Sequence, residues 1–427
     1  MGRECPVTEP VTEAKTSTPP PRPSALDRVP MRPGMLRGVI SAALVLMFAE
    51  FVRSGFYSGY LTRVIDTNYH LPVVLAGAAW SAHLTTDTLM RGPAGILLQR
   101  YGPRRVVMGG AALSVLALLL MLVAHSGWMI FLVAILHGIG FSPMWPATMN
   151  LTADAAKDGY QGRTLSLVST SIMPMTGLGL FVFATLAQRA GAVPIVLLAV
   201  GVLGISLLLT TLLPAQRHLT VADDPKPRGH LTRALMPLLP AALMQTLTQS
   251  LVGNWLFRIA PDLGLADWKL IALLAVGGGV GFGAMPFTGK VADKGRARFA
   301  VALGYALVGL AFAGFAFVPP LPVLFALAAV AGLGYAFLTP GWAALITQML
   351  PEAQRPGAWG ILMTVESAGF AAGPLLGGFA LGHSGVSGLF WVGAVLALLT
   401  AAGYTVFRKV FQDRAAGSVT PDTAHDS

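Results

Sequence analysis

Twelve times along the chain an apolar stretch of membrane-crossing length gives way to a polar break. The stretches run over 35–61, 73–98, 106–125, 128–153, 162–187, 193–213, 235–258, 269–292, 299–318, 323–350, 358–383 and 386–410. Roughly 20 apolar residues carry a helix across the hydrocarbon core of a bilayer. Inside that core every backbone N–H and C=O must be paired within the chain, so runs this long default to helix. Of the 427 residues 54% are hydrophobic and 11% charged, against about 25% charged in ordinary soluble domains. The sequence predicts an all-α integral membrane protein with twelve transmembrane helices.

The longest polar interruption, 214–234, divides the spans into two sets of six. The expected organisation is a cytoplasmic tail over 1–34, a six-helix bundle over 35–213, a cytoplasmic linker over 214–234, a second bundle over 235–410 and a cytoplasmic tail over 411–427. The first tail is rich in Pro, Thr and charge, which reads as disorder rather than as a signal peptide. Cys5 is the single cysteine, so a disulfide framework is excluded. A net charge of +10 would suit nucleic acid, but its placement points elsewhere. With the N-terminus in the cytoplasm, 23 of the 29 basic residues fall on inner segments, and only Arg63, Arg189, Arg258 and Lys269 on outer loops. That positive-inside pattern predicts a multi-pass protein of the cell inner (cytoplasmic) membrane, with both termini cytoplasmic and no nucleic-acid partner.

The halves repeat. Gly95-x-x-x-Gln99-Arg100-Tyr101-Gly102-Pro103-Arg104-Arg105 follows the second span, and Gly289-x-x-x-Asp293-Lys294-Gly295-Arg296-Ala297-Arg298 follows the eighth, 194 residues later. Gly138-x-Gly140 and Gly332-x-Gly334 echo at the same offset, and Pro143-x-Trp145 and Pro340-x-Trp342 at 197. Two repeated six-helix halves are the footprint of a transporter rocking about a central site.

The loop pattern Gly-x-x-x-Asp-Arg-x-Gly-Arg-Arg resembles the motif of the major facilitator superfamily, and the resemblance covers residues 35–410. It implies two pseudo-symmetric six-helix bundles. The family's loop charges are thought to latch helix ends in one conformation, which by resemblance makes Gly95, Arg100, Gly102, Arg104, Arg105, Asp293 and Arg296 a conformational latch. Gln99 departs from the family's usual Asp, and the second copy is one residue short before Gly295. The run Gly369-x-x-x-Gly373-Pro374-x-x-Gly377-Gly378 on the eleventh span matches the family's antiporter motif, which normally lies on the fifth.

Few ionisable groups fall within spans away from their ends: Glu50 and Arg53 on the first, His83, Asp87 and Arg91 on the second, His137 on the fourth and Glu366 on the eleventh. A charge at the bilayer centre costs on the order of 3 kcal/mol, so such groups face a wet cavity, find partners, or both. Helical spacing puts Glu50, Arg53 and Tyr57 on one face and His83, Asp87 and Arg91 on another. Glu50 and Arg53 read three ways: a structural ion pair, a proton-exchanging carboxylate tuned by its arginine, or an arginine for an anionic substrate group. Glu50, Asp87, Glu366 and His83 are the proton-coupling candidates. Arg53, Tyr57, Trp145, Gln245, Gln249 and Trp342 are the substrate-binding candidates, since indole faces stack sugar rings and flat drugs alike.

A closer resemblance rests on Glu50-Phe51-x-Arg53 with Gly55 and Tyr57, Ser81-x-His83-x-x-x-Asp87, Ser142-Pro143-x-Trp145 and Pro340-x-Trp342 with Trp359-Gly360. These stretches resemble the superfamily branch of flippases that export the diglucosyl-diacylglycerol anchor of lipoteichoic acid. By that likeness Glu50, Arg53, Asp87 and Trp145 become headgroup and proton residues. Two departures are the extra Ser54 and the carboxylate at Glu366, where the relative has an amide. The expectation is a monomeric, proton-coupled exporter of a membrane lipid or lipid-linked glycan, driven by a proton gradient with no cofactor and no metal. The alternative is an efflux pump of the same fold for amphipathic small molecules. An enzyme lacks support, because neither H-E-x-x-H nor G-x-S-x-G occurs.

Overall fold

A computed structural model describes residues 31–32, 34–157, 160–215, 235–236, 238–349 and 355–408, with the side chains of 161–163 and 355–359 left aside. Almost all of the expected first tail and linker and the whole of the expected last tail lie outside the described residues, as does the side chain of Trp359.

The first six passes are α1 (Leu36–Val64), α2 (Val74–Tyr101), α3 (Pro103–Val123), α4 (Gly127–Ala155), α5 (Gln161–Leu186) and α6 (Ala192–Leu212). The second six are α7 (Leu239–Gly253), α8 (Asp267–Val291), α9 (Ala297–Phe315), α10 (Leu321–Met349), α11 (355–384) and α12 (386–406). The last two run on as one helix, broken only at Gly385, where φ is 62° and ψ −161°. Ten of the passes lie in segments apolar and long enough to span a membrane. α2 falls short because it carries Asp87 and Arg91, and α7 because it has only 15 residues. Its expected span reached 258, but the helix stops at Gly253 and the chain restarts as the short turn Leu256–Ile259.

Two local breaks shape the site. α1 loosens into a π-helical turn over Gly55–Leu61, a feature that gathers at functional positions. α4 is interrupted at Ser142 and Pro143, just ahead of Trp145. Pro has no N–H to give to the ladder, so the interruption falls where the sequence places it.

Within the first set α1 packs on α4, α5 and α6, and α4 also on α2 and α3; within the second α7 packs on α11, α8 on α10, and α9 on α10 and α12. Equivalent crossings use equivalent glycines. A Cβ on Gly110 of α3 would sit 2.4 Å from the Gly140 carbonyl of α4, and one on Gly304 of α9 2.7 Å from the Gly334 carbonyl of α10. Removing the side chain lets the backbones touch. Both loop motifs also turn on a glycine with positive φ, Gly102 at 79° and Gly295 at 76°, a conformation that costs other residues dearly.

The sets meet chiefly where α2 crosses α11. A Cβ on Gly77 would lie 2.2 Å from the Pro374 carbonyl, and the Ser81 hydroxyl accepts the Leu375 N–H at 3.1 Å. We call the face where α1 begins and α12 ends the near face, and its opposite the far face. The crossing belongs to the far half of the molecule.

Candidate functional site

Near the middle of α1, Arg53 closes on Glu50 with Nε and Nη2 donating at 2.7–2.9 Å. The pair is held inside one helix by the i, i+3 spacing. Trp145, just past the interruption in α4, donates its indole N–H to Glu50 Oε1 at 2.6 Å. Glu50 is 1% exposed, so a full set of charged and polar donors is what makes its burial tolerable. The Arg53 guanidinium lies 4.6 Å from the Phe141 ring centroid and 5.4 Å from that of Trp80, a cation–π seat.

Behind Arg53 is a sealed aromatic block. Tyr57 stacks on Trp80 at 4.9 Å, His83 lies 4.7 Å from His137, and the Tyr57 hydroxyl meets His137 Nδ1 at 3.3 Å. Neither His83 ring nitrogen has a hydrogen-bond partner among the described residues. His83 packs against His137 and Phe141 of α4.

One turn further along α2, Arg91 pairs with Asp87 through Nη2 at 2.9 Å. The carboxylate is 1% exposed, while the Arg91 side chain is 39% exposed. Opposite, Trp342 of α10 donates to Glu366 Oε1 of α11 at 2.7 Å. Each set therefore has a Trp, two residues after a Pro, bonded to a Glu. The environments differ: Glu50 has a bidentate arginine, whereas half-buried Glu366 has no cation within 4 Å among the described residues.

These groups converge on a cavity of about 450 Å³ between the sets, lined by Arg53, Asp87, Arg91 and Trp145 on one side and Thr246 and Glu366 on the other. Five of the sequence-predicted site residues thus share its rim or its immediate backing: Glu50, Arg53, Asp87, Trp145 and Glu366, with Trp342 behind the last. The structure places four elsewhere. Tyr57 and His83 are sealed in the aromatic block. Gln245 is buried and accepts a hydrogen bond from the Tyr305 hydroxyl at 3.2 Å. Gln249 borders a separate, mostly apolar crevice of about 290 Å³ among α7, α8 and α10.

Of the predicted latch residues, Arg104 donates to the Leu213 carbonyl at the end of α6 at 2.6 Å. Arg100 lies over the Tyr101 ring at 5.4 Å, and Arg105 lines a shallow surface hollow. Gly95 lies on the last turns of α2 with open space where a Cβ would be. Asp293 and Arg296 are exposed on the loop between α8 and α9.

Sequence reasoning missed the far-face closure. Arg63 of α1 donates to Asp267 Oδ1 at 2.6 Å, to the Phe257 carbonyl at 2.5 Å and to the Ala184 carbonyl at 3.0 Å. Arg258, just beyond α7, donates to Asp66 at 2.6 Å. Each half thus gives an arginine to the other half's aspartate. Asn254 adds a bridge, accepting from the Ser58 hydroxyl and the Trp80 indole, both at 3.0 Å. One signal was available: Arg63 and Arg258 recur 195 apart in outer segments otherwise poor in base.

Two pseudo-symmetric helical sets, pinned together on one face and parted around a charged cavity, make the architecture of a membrane transporter. The sequence profile described as the Major Facilitator Superfamily matches residues 42–322 and again 284–425, and the chain belongs to that family. Among curated proteins it is 24% identical to the "Proton-coupled antiporter flippase LtaA" of Staphylococcus haemolyticus over 87% of this chain and 94% of that protein. The protein of the same description from Staphylococcus aureus is 21% identical over 89% of this chain and 97% of its own. Among solved structures, a mutant of the nucleoside transporter NupG superposes with a TM-score of 0.68 at 14% identity, covering 86% of this chain and 99% of that one. A mutant of the peptide transporter POT in complex with alafosfalin gives 0.68 at 15%, over 90% and 97%.

Proposed function

We propose that this protein is a proton-coupled antiporter that moves an amphipathic glycolipid across the inner (cytoplasmic) membrane, acting as a monomer with both termini in the cytoplasm. In that orientation the near face is cytoplasmic, and the conformation described is inward-facing. The observation that carries the reading is the cavity between the sets, where buried carboxylates, arginines and an indole meet on one wall, and Met363 and Phe370 flank Glu366 on the other. A sugar headgroup suits the first wall through hydrogen bonds and ring stacking, and acyl chains suit the second. The relatives named as proton-coupled antiporter flippases support the same cargo class over an efflux pump. Glu50, Asp87 and Glu366 are the proton-coupling groups in this reading, and Arg53, Trp145 and Trp342 hold the headgroup.

In proteoliposomes an imposed pH gradient should drive translocation of a fluorescent diglucosyl lipid, read as loss of access to an external quencher. Glu50→Gln or Asp87→Asn should abolish the gradient-driven component. Coupled transport that survives undiminished in both variants removes these carboxylates from the mechanism.

A further inference from the structure

α2 and α11 cross on the far side and diverge toward the near face, and the residues that line the diverging stretches fall into register. Ser81 meets Leu375 at the crossing. Moving toward the near face, α2 presents Leu84, Thr88 and Arg91 to the cavity, while α11 presents Phe370, Ser367 and Glu366. α2 runs from far face to near face and α11 the opposite way, so distance from the crossing follows directly from residue number. At a helical rise of 1.5 Å per residue, Arg91 lies about 15 Å from the level of Ser81 and Glu366 about 14 Å from that of Leu375. The two groups stand at the same depth on facing helices. Their states in the open cavity are complementary. The Arg91 side chain is 39% exposed and tied only to Asp87 of its own helix, and Glu366 has no cation within 4 Å among the described residues.

We propose that Arg91 is an exchangeable gate residue: when the near face closes, it leaves Asp87 and pairs with Glu366 across the α2–α11 seam. Thr88 and Ser367, at about 10 Å and 12 Å from the crossing on the same scale, come together beneath that pair. The exchange strips Asp87 of its compensating charge while it stays buried, and an uncompensated buried carboxylate favours its protonated form. The other charged or titratable groups around this position are Arg53 and Glu50 from α1, Glu366 from α11, and His83 and His137 in the neighbouring aromatic block. Arg53 remains committed to Glu50 by two donors, so Arg91 is the cation free to move. The proposal rests on alternating access, as the functional reading does, and not on the identity of the cargo.

The test needs neither cargo nor gradient. Cys5 is the chain's single cysteine, so Cys5→Ser with Thr88→Cys and Ser367→Cys leaves one reactive pair, placed on small residues outside the charged machinery. In proteoliposomes a short bifunctional thiol reagent should cross-link the pair, reporting closure of the near face. Adding Asp87→Asn, which releases Arg91, should raise the cross-linking rate by about fivefold, the size of a partly exposed ion pair. Adding Glu366→Gln should lower the rate and cancel the gain from Asp87→Asn. An Asp87→Asn gain that persists undiminished alongside Glu366→Gln, or no change with either substitution, overturns the exchange. Elution of each variant as a single species in detergent establishes that it is folded.

Discussion

The two halves share a scaffold and differ in what they put on it. His83 of α2 and Gly277 of α8 occupy corresponding places: a Cβ on Gly138 would meet the His83 carbonyl at 2.6 Å, and one on Gly332 would meet the Gly277 carbonyl. Four residues further along, Asp87 corresponds to Gly281. The first half fills these places with an imidazole and a carboxylate, and the second leaves them empty, which opens the apolar crevice bordered by Gly277, Gly281, Phe282 and Phe312. At these two places a repeated backbone thus carries a polar pair in one half and borders an apolar crevice in the other. Polarity is expensive within a bilayer, and the first half carries it at the positions proposed above for headgroup and proton.

The sharpest way to break the symmetry is at the far-face clamp, where the two reciprocal ion pairs are not equivalent. Arg63 is buried to 6% of its side-chain area and bonds two backbone carbonyls as well as Asp267. Arg258 and Asp66 are each about a third exposed. Removing one partner of a buried pair costs about 3–5 kcal/mol because the other charge is left stranded, whereas an exposed pair is worth about 0.2–1 kcal/mol. Arg63→Ala should therefore open the far face, read as new labelling of a cysteine placed at Ser58 in a Cys5→Ser background. Arg258→Ala should leave that labelling nearly unchanged. Equal effects would mean that the clamp works as a single unit.

A smaller difference separates the two Trp–Glu bonds. Trp145→Phe removes a charge-assisted bond to a carboxylate sealed from water, worth about 1.5–3 kcal/mol. Trp342→Phe removes the same bond from Glu366, which is half-buried at the cavity and has water to replace it. Thermal unfolding in detergent should show the larger loss of melting temperature for Trp145→Phe. The reverse order would place Glu366 in the drier environment and undercut its availability to Arg91.

Much of the fold could be read from the chain because its determinants are local. Span length and the loop glycines at 102 and 295 act within one helix or one turn, and the offset of 194 is a repeat visible along the chain itself. The Asp87–Arg91 pair was equally legible, since its i, i+4 spacing decides the contact. The boundaries of α7 were not, because Asn254 and the turn after it are set by contacts with α1 and α2 rather than by hydropathy. The Trp–Glu bonds escaped notice for a related reason. The prolines flagged the breaks, but which carboxylate each indole would reach depends on how α4 lies against α1 and α10 against α11. Arg63 and Asp267 are 204 residues apart, and no local pattern pairs them. His83 shows the opposite failure: it shares a face with Asp87, yet one turn earlier on α2 the neighbours are Trp80, His137 and Phe141 rather than the cavity.

The mildest contrast concerns the loop motifs. Arg104 opens α3 and donates to the carbonyl of Leu213 after α6; Arg298 opens α9 and donates at 2.8 Å to the carbonyl of Tyr404 at the end of α12. These arginines are 194 residues apart, and each supplies a cation to the negative end of the last helix of its own half. Such a contact is worth about 0.3–1 kcal/mol. It acts within a half, so its loss should loosen that half without biasing the direction in which the cavity opens. Arg104→Gln and Arg298→Gln should each speed amide hydrogen exchange over the last turn of α6 or α12 by a few fold, and leave labelling at Ser58 unchanged. If either substitution shifts the far-face labelling instead, the motif is coupled to the gates, and the two halves differ in mechanics as well as in polarity.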